Sequence, residues 1–217
     1  MTGIAFSIAS VRTEPHAAAP TVVFRVVVED ASGRPIQAAL LRCQVYIEMR
    51  RRRYSTVEGE RLSEIVAEPA RWNETMRPLL WATVPLVLSR CEGRAEVDLP
   101  IACSYDFEVA STKYFHALDD GEVPLTFMFS GTLFAAGPSA LQVTQVPWDT
   151  EARFRLPVRT WQEALKQHFG DSTWIRLGSQ SFEALDRVRR SRGLMTWDQV
   201  VDALCADSLA PDSLGRV

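Results

Sequence analysis

The sequence predicts an α+β protein, a mainly antiparallel β-sandwich with a C-terminal helical appendage. Three observations predict it. Apolar and polar residues alternate at period two in several segments of the first 157 residues. Turn-forming clusters of Asp, Gly, Ser and Pro separate those segments. From about residue 158 the apolar spacing lengthens to that of a helix. The expected domains are therefore a sandwich over 1–157, with a helical insertion near 56–80, and an appendage over 158–217, loose from about 207.

The strands come first. Val22, Phe24, Val26 and Val28 alternate with Thr21, Arg25 and Glu29. The cluster DASGRP at 30–35 then turns the chain. Leu41, Cys43, Val45, Ile47 and Met49 share the next apolar face. The longest alternation puts Val97, Leu99, Ile101, Cys103, Tyr105, Phe107 and Val109 toward the core and Glu96, Asp98, Asp106 and Glu108 toward water. A one-residue slip would bury those acids. Pro100 lacks an N–H, so this strand is expected at an edge or bent there. Asp119, Asp120 and Gly121 form a turn before apolar runs at 125–134, 141–146 and 152–156. Strands with one wet face suit an antiparallel sandwich rather than a parallel sheet.

Helices follow from capping chemistry. Ser55 and Glu58 have capping-box spacing, Leu62, Ile65 and Val66 supply a stripe, and Pro69 ends it. The segment 72–81 reads equally as a short helix or an irregular connection. Thr160 with Glu163, and Thr196 with Gln199, repeat the capping-box spacing, and Ser181 is expected to cap a helix closed by Gly193.

Composition narrows the function classes. The 217 residues are 47% hydrophobic and 24% charged, enough for a sizeable core without disulfide or metal. A net charge of −3 supplies no global field for nucleic acid or anionic lipid. No secretory leader is read at the N-terminus, and the longest apolar run, 82–88, is too short to span a bilayer. Cys43, Cys91, Cys103 and Cys205 form no paired motif, which fits a reducing cytoplasm, with Cys91 expected as the exposed thiol.

Chemistry is sparse. His16, His116 and His168 lie far apart and away from the cysteines, so no metal, cofactor or catalytic residue is assigned. The acidic pairs Glu96/Asp98 and Asp106/Glu108 are expected on solvated strand faces, and 119–122 as a plain turn rather than a cation loop. No phosphate-binding glycine motif or nucleophile elbow occurs.

Two features remain as candidate partner-binding sites. Arg50, Arg51, Arg52 and Arg53 form a dense cationic run after a strand. Read as a strand exit, the run points to alternating sides and is either solvated or ion-paired, with Glu48, Glu58, Glu60 and Glu64 close enough to neutralise it, or docked on an acidic partner; four serine replacements are then expected to leave the melting temperature nearly unchanged. Trp148, beside Pro147, is either a plug in the core or an exposed anchor.

The phrases LRCQVYIEMRRRRY at 41–54, the run 97–134 from VDLPIACSYDF to FSGTLF, and VPWDTEARFRLPVRTWQEAL at 146–165 resemble an uncharacterised bacterial family, a domain of unknown function. That family is encoded near actinobacterial-type nickel-iron hydrogenase gene clusters. The resemblance spans about 5–205 and implies a neighbourhood but no functional residues. The resulting expectation is a non-enzymatic, cytoplasmic accessory or assembly protein that binds another protein, such as a hydrogenase subunit or maturation factor, and neither nucleic acid nor membrane. Two alternatives stay open: an enzyme or small-ligand binder whose site forms only in the fold, and a structural subunit of a larger assembly.

Overall fold

The computed structural model describes residues 3–32, 34–104, 106, 109–137, 140–170, 172 and 175–209. The chain divides into two compact units, 1–174 and 175–217. The first holds two antiparallel sheets. Strands β1 (Ile4–Thr13), β2 (Thr21–Asp30) and β5 (Arg94–Ala102) form one, in the order β1-β2-β5. Strands β3 (Ile36–Ile47), β4 (Leu79–Leu88), β6 (Glu122–Ala136), β7 (Leu141–Gln145) and β8 (Glu151–Pro157) form the other, in the order β4-β3-β6-β7, with β8 also on β6. Helices α1 (Thr56–Leu62), α2 (Trp72–Thr75), α3 (Ala110–His116) and α4 (Val158–Phe169) complete this unit. The α+β sandwich is thus the architecture observed.

The core lies between the apolar faces of the two sheets. Val22, Phe24, Val26 and Val28 of β2 face Leu41, Cys43, Val45 and Ile47 of β3 and Leu125, Phe127 and Phe129 of β6, and all of these are buried. Phe24 sits edge-on to Phe127, Phe154 and Trp81, with centroids 5.0, 5.8 and 6.2 Å away. Phe6 stacks on Phe129 at 4.2 Å. Such ring pairs add to the area term that already dominates a core.

Val23 and Val27 on the other face of β2 are also buried. That face carries an ion-pair ladder: Arg25 meets Asp98 at 2.9 Å and Glu96 at 3.8 Å, and Arg12 reaches Asp98 at 3.2 Å. Arginine stems cover apolar surface while their heads stay wet. The expected acidic face of β5 is therefore matched by guanidiniums.

Several expectations need correction. The strand expected to reach Val109 ends at Ala102; Leu99, Ile101 and Cys103 are buried, whereas Val109 is exposed as the residue before α3. The helix takes over because it buries Tyr114 and Phe115 together, and Phe115 stacks on Trp161 at 5.0 Å. Tyr105, Phe107 and Glu108 lie outside the described residues. β5 is an edge strand, where the missing N–H of Pro100 breaks no central ladder. Strand β1 was not foreseen, and the undecided segment 72–81 is α2 followed by the start of β4. The Ser55–Glu58 capping box is formed, but its helix stops at Leu62, before Ile65 and Val66.

Helix α4 starts at Val158 behind Pro157, so Thr160 lies inside it and caps nothing. Its buried face is Val158, Trp161, Ala164 and Leu165, and it ends at Gly170 with φ of 64°.

The second unit is a helix pair, α5 (Ser179–Ser191) and α6 (Trp197–Leu209). Gly178, not Ser181, precedes α5. Gly193 closes it at φ 65°, where Leu194 N–H donates to Arg189 O at 2.9 Å and Gly193 N–H to Arg190 O at 3.3 Å, a Schellman ending. Thr196 and Gln199 form the predicted reciprocal cap, each accepting the other's N–H at 3.2 Å. Phe182 packs on Trp197 at 5.2 Å with Arg189 over the indole at 5.0 Å. Asp207, Ser208 and Leu209 are helical, not loose; the rest of the expected tail lies outside the described residues.

Cys205 on α6, rather than the half-buried Cys91, is the exposed thiol, and burial pushes Cys43 and Cys103 up to about 12. A thiol reagent at neutral pH should therefore label Cys205 in the native protein, and Cys43 and Cys103 only after denaturant, as peptide mapping will show. Phe24→Ala should cost about 3–5 kcal/mol in urea unfolding; a loss below about 1 kcal/mol would mean that the two sheets do not share this core.

Candidate functional site

The arginine run does not leave β3 as an extended strand. Met49–Arg51 forms one 3₁₀ turn, which buries Met49 and leaves Arg50 and Arg51 exposed. The turn redirects the chain, so Arg52 points inward. Its side chain is 8% exposed and that of Glu58 only 6%. Arg52 Nη2 donates to Glu58 Oε1 at 2.8 Å and also to the Asp120 carbonyl. The run is thus three exposed guanidiniums around one buried one, and Arg52 cannot be counted as a solvated charge. Removing all four would break a buried pair, so the melting temperature should fall rather than hold.

Glu58 is positioned by the capping box of α1. Its Oε2 accepts from Ser55 N–H at 2.9 Å, and its Oε1 also accepts from Asp119 N–H at 3.1 Å. Burial pushes its carboxyl up, but the hydrogen bonds from Arg52, Ser55 and Asp119 outweigh it and hold the carboxyl below the usual range. The Asp119–Gly121 turn is therefore a docking point for α1: Arg61 pairs with Asp119 at 2.6 Å, and Asp120 receives Arg52.

Two aromatic rings wall the space beside Arg52. Arg52 lies over the Tyr54 ring at 5.1 Å, and Tyr54 meets Trp72 edge-on at 5.3 Å. The Tyr54 hydroxyl donates to Met49 O at 2.7 Å and lies 3.0 Å from the Tyr114 hydroxyl. Burial raises the pKa of both phenols, so both stay neutral. Trp72 Nε1 donates to Ala67 O at 2.8 Å. Gly59 of α1 lets the indole approach: a Cβ there would sit 3.3 Å from Trp72 Cη2.

The result is an open cleft of about 450 Å³ lined by Arg50, Arg52, Arg53, Tyr54, Trp72 and Met76, with Asn73. No carboxylate lines it, and neither Arg50 nor Arg53 has an acid within ion-pair distance among the described residues. Sequence reasoning found the arginines but missed Trp72 and Met76, about twenty positions downstream. The capping box at Ser55 and the glycine inside α1 were the available signals that something packs there.

Trp148 is 84% exposed. It lies in the connection between β7 and β8, where Val146 N–H donates to Gly131 O and Phe129 N–H to Thr150 O, each at 2.9 Å. It is far from any plug in the core, and the structure does not bring it into the arginine cleft.

A second feature had no counterpart in the sequence reading. On the outer face of the five-stranded sheet, Leu40 pairs with Val87, and Phe134 pairs with Val143 and lies beside Ala38. Leu141, two residues from Val143, points the same way. Leu40, Val87, Leu141 and Val143 are all more than half exposed, and Phe134 is half-buried. The four strands thus present one apolar patch, bordered by the exposed Arg42.

Among the described residues, no three His, Cys, Asp or Glu side chains cluster as a metal site, and no helix is long and apolar enough to cross a membrane.

Fold and site define a two-sheet antiparallel sandwich with a cationic, aromatic-walled cleft. The chain belongs to a family of unknown function, DUF6084, matched over residues 1–212. No curated protein matches it. Among solved structures, β-glucosidase from Kluyveromyces marxianus with glucose is 13% identical at a TM-score of 0.28, covering 71% of this chain and 15% of that one. β-Glucosidase 3B from Thermotoga neapolitana with α-D-glucose is 15% identical at 0.26, over 71% and 17%. Likeness this slight carries no argument.

Breaking the buried pair should be costly, because the surviving partner stays desolvated. Arg52→Ser is expected to lose about 3 kcal/mol in chemical denaturation. The lowered Glu58 carboxyl adds stability at pH above its ordinary 4.5, and that contribution disappears as pH falls through its folded value. Glu58→Gln should remove that part of the acid-side loss, measurable as a flatter profile of melting temperature below pH 4.5.

Proposed function

We propose that this chain is a non-enzymatic accessory or assembly protein that binds another protein through the outer face of its five-stranded sheet. The supporting observation is the patch of Leu40, Val87, Phe134, Leu141 and Val143. Contiguous exposed apolar surface of this kind marks interaction sites, because leaving it in water is unfavourable and invites aggregation. Arg42 at its border has no acid within ion-pair distance among the described residues. The partner that fits is an apolar surface with a carboxylate at its rim. Trp148, in the connection beside β7, adds an exposed residue of the kind that dominates interface energetics.

The setting we propose is cytoplasmic nickel-iron hydrogenase maturation or complex assembly. It rests on the resemblance carried by 41–54, 97–134 and 146–165.

The double change Leu40→Ser/Val143→Ser should leave the melting temperature within a few degrees of wild type, since exposed positions contribute roughly ±0.5 kcal/mol. Affinity purification from the native host, followed by binding measurements between purified components, should find a hydrogenase subunit or maturation factor with wild type and about tenfold weaker binding with the variant. Equal binding by both would remove this face as the interface.

A further inference from the structure

The arginine cleft is independent of the sheet face, and its lining states what it would bind. Every polar group it offers through arginine is a donor, and the guanidinium has no acceptor. Its cationic excess comes from Arg50 and Arg53, which have no ion-pair acid among the described residues, while Arg52 is paired with Glu58 behind it. Arg52 is also preset, held by Glu58, by the Asp120 carbonyl and by the Tyr54 ring. Its Nη1 is buried without a hydrogen-bond partner, although Nη2 has two. A buried donor left unmatched is costly, and an arriving acceptor relieves that cost.

The aromatic wall restricts the ligand further. The Tyr54 hydroxyl and Trp72 N–H are already engaged within the protein. The two rings therefore offer faces and edges, not hydrogen bonds, and Met76 adds an apolar wall. A ligand must bring an acceptor-only anion joined to a flat, apolar body. Three guanidiniums lining one cleft suit the three terminal oxygens of a phosphate better than the coplanar pair of a carboxylate, which one arginine satisfies bidentately. A phosphomonoester also carries about −1.5 to −2 charge near neutrality, the charge that Arg50 and Arg53 together oppose. The volume of about 450 Å³ is that of a small-molecule site.

We propose that the cleft of Arg50, Arg52, Arg53, Tyr54 and Trp72 binds a small phosphomonoester carried on a flat ring, such as a nucleoside monophosphate or an aryl phosphate. The phosphate sits among the guanidiniums and the ring lies against Trp72 and Tyr54. The site goes beyond the protein-binding role and does not depend on it.

Isothermal titration of the full chain tests this with phenyl phosphate, adenosine monophosphate, adenosine, inorganic phosphate and benzoate. At least one of the two ring phosphates should bind roughly tenfold more tightly than adenosine, inorganic phosphate or benzoate, and should weaken as salt rises. Arg50→Ser/Arg53→Ser should lower that affinity by roughly tenfold or more while the melting temperature holds, because both side chains are exposed. Leu40→Ser/Val143→Ser should bind the ring phosphate like wild type, which separates this site from the sheet face. Benzoate binding as well as phenyl phosphate would overturn the phosphate assignment. Inorganic phosphate matching the ring phosphates would overturn the role of the aromatic wall. No binding of either ring phosphate, or unchanged binding in the arginine variant, would overturn the site itself.

Discussion

The buried pair between Arg52 and Glu58 is the constraint on which the arginine cleft depends. It ties the exit of β3 and the first turn of α1, six residues apart, to the turn more than sixty residues away that leads into β6. A lone guanidinium at that depth would be strongly unfavourable, and so would a lone carboxylate. Each is tolerated because backbone groups add to the pair: Ser55 and Asp119 N–H for the acid, and for the base the Asp120 carbonyl, which leaves Arg52 Nη1 unmatched. The pair gives little net stability over an apolar replacement. What it does give is position, since Tyr54 and the flanking arginines are arranged around it.

Beneath this sits the sandwich, in which β2 is the central strand of one sheet and β3 and β6 form the middle of the other. Phe24 projects from β2 against Phe127 and Phe154 of the opposite sheet. The arginine cleft and the outer apolar face both belong to the five-stranded sheet and its excursions. The three-stranded sheet turns a charged, internally neutralised ladder outward. Ion pairs of that exposed kind contribute little individually, but their stems keep Val23 and Val27 dry.

Much of the fold was legible because period two is a strong signal where one face is wet. β3 and the inner face of β2 could be read directly. β4 could not: LLWATVPLVL carries no charge, so its exposed Leu80 and Val87 look like core residues. The same absence of polar marking hid the outer patch, whose members come from four strands and meet only through register. The overlong reading of β5 failed for another reason. The alternation continues to Val109, but the strand ends at Ala102, and just beyond it Ser111, Tyr114 and Phe115 bury at helical spacing. At the site, the arginines were conspicuous and Glu58 was among the nearby acids able to neutralise them, but their division into one buried and three exposed depends on a 3₁₀ turn at Met49–Arg51 and on the Asp120 carbonyl, which no local pattern announces. Capping boxes at 55 and 196 were genuine; the one at 160 was chance spacing, because Pro157 starts its helix earlier.

Strand β6 carries two short partners along one edge, β7 beside its far half and β8 beside its near half, with 146–150 crossing between them. Gly131 lies at the handover, where its carbonyl accepts from Val146 N–H; on its other side β3 approaches so closely that a Cβ would collide with the Leu40 carbonyl, and its φ of 139° likewise calls for glycine. A sheet edge written as two strands can gain residues in its middle without changing the register of either half, whereas a single long strand cannot. For this lineage the crossing is a natural port of entry for new sequence, and for the protein engineer it is a place where a tag or small domain can be spliced in with both ladders left intact.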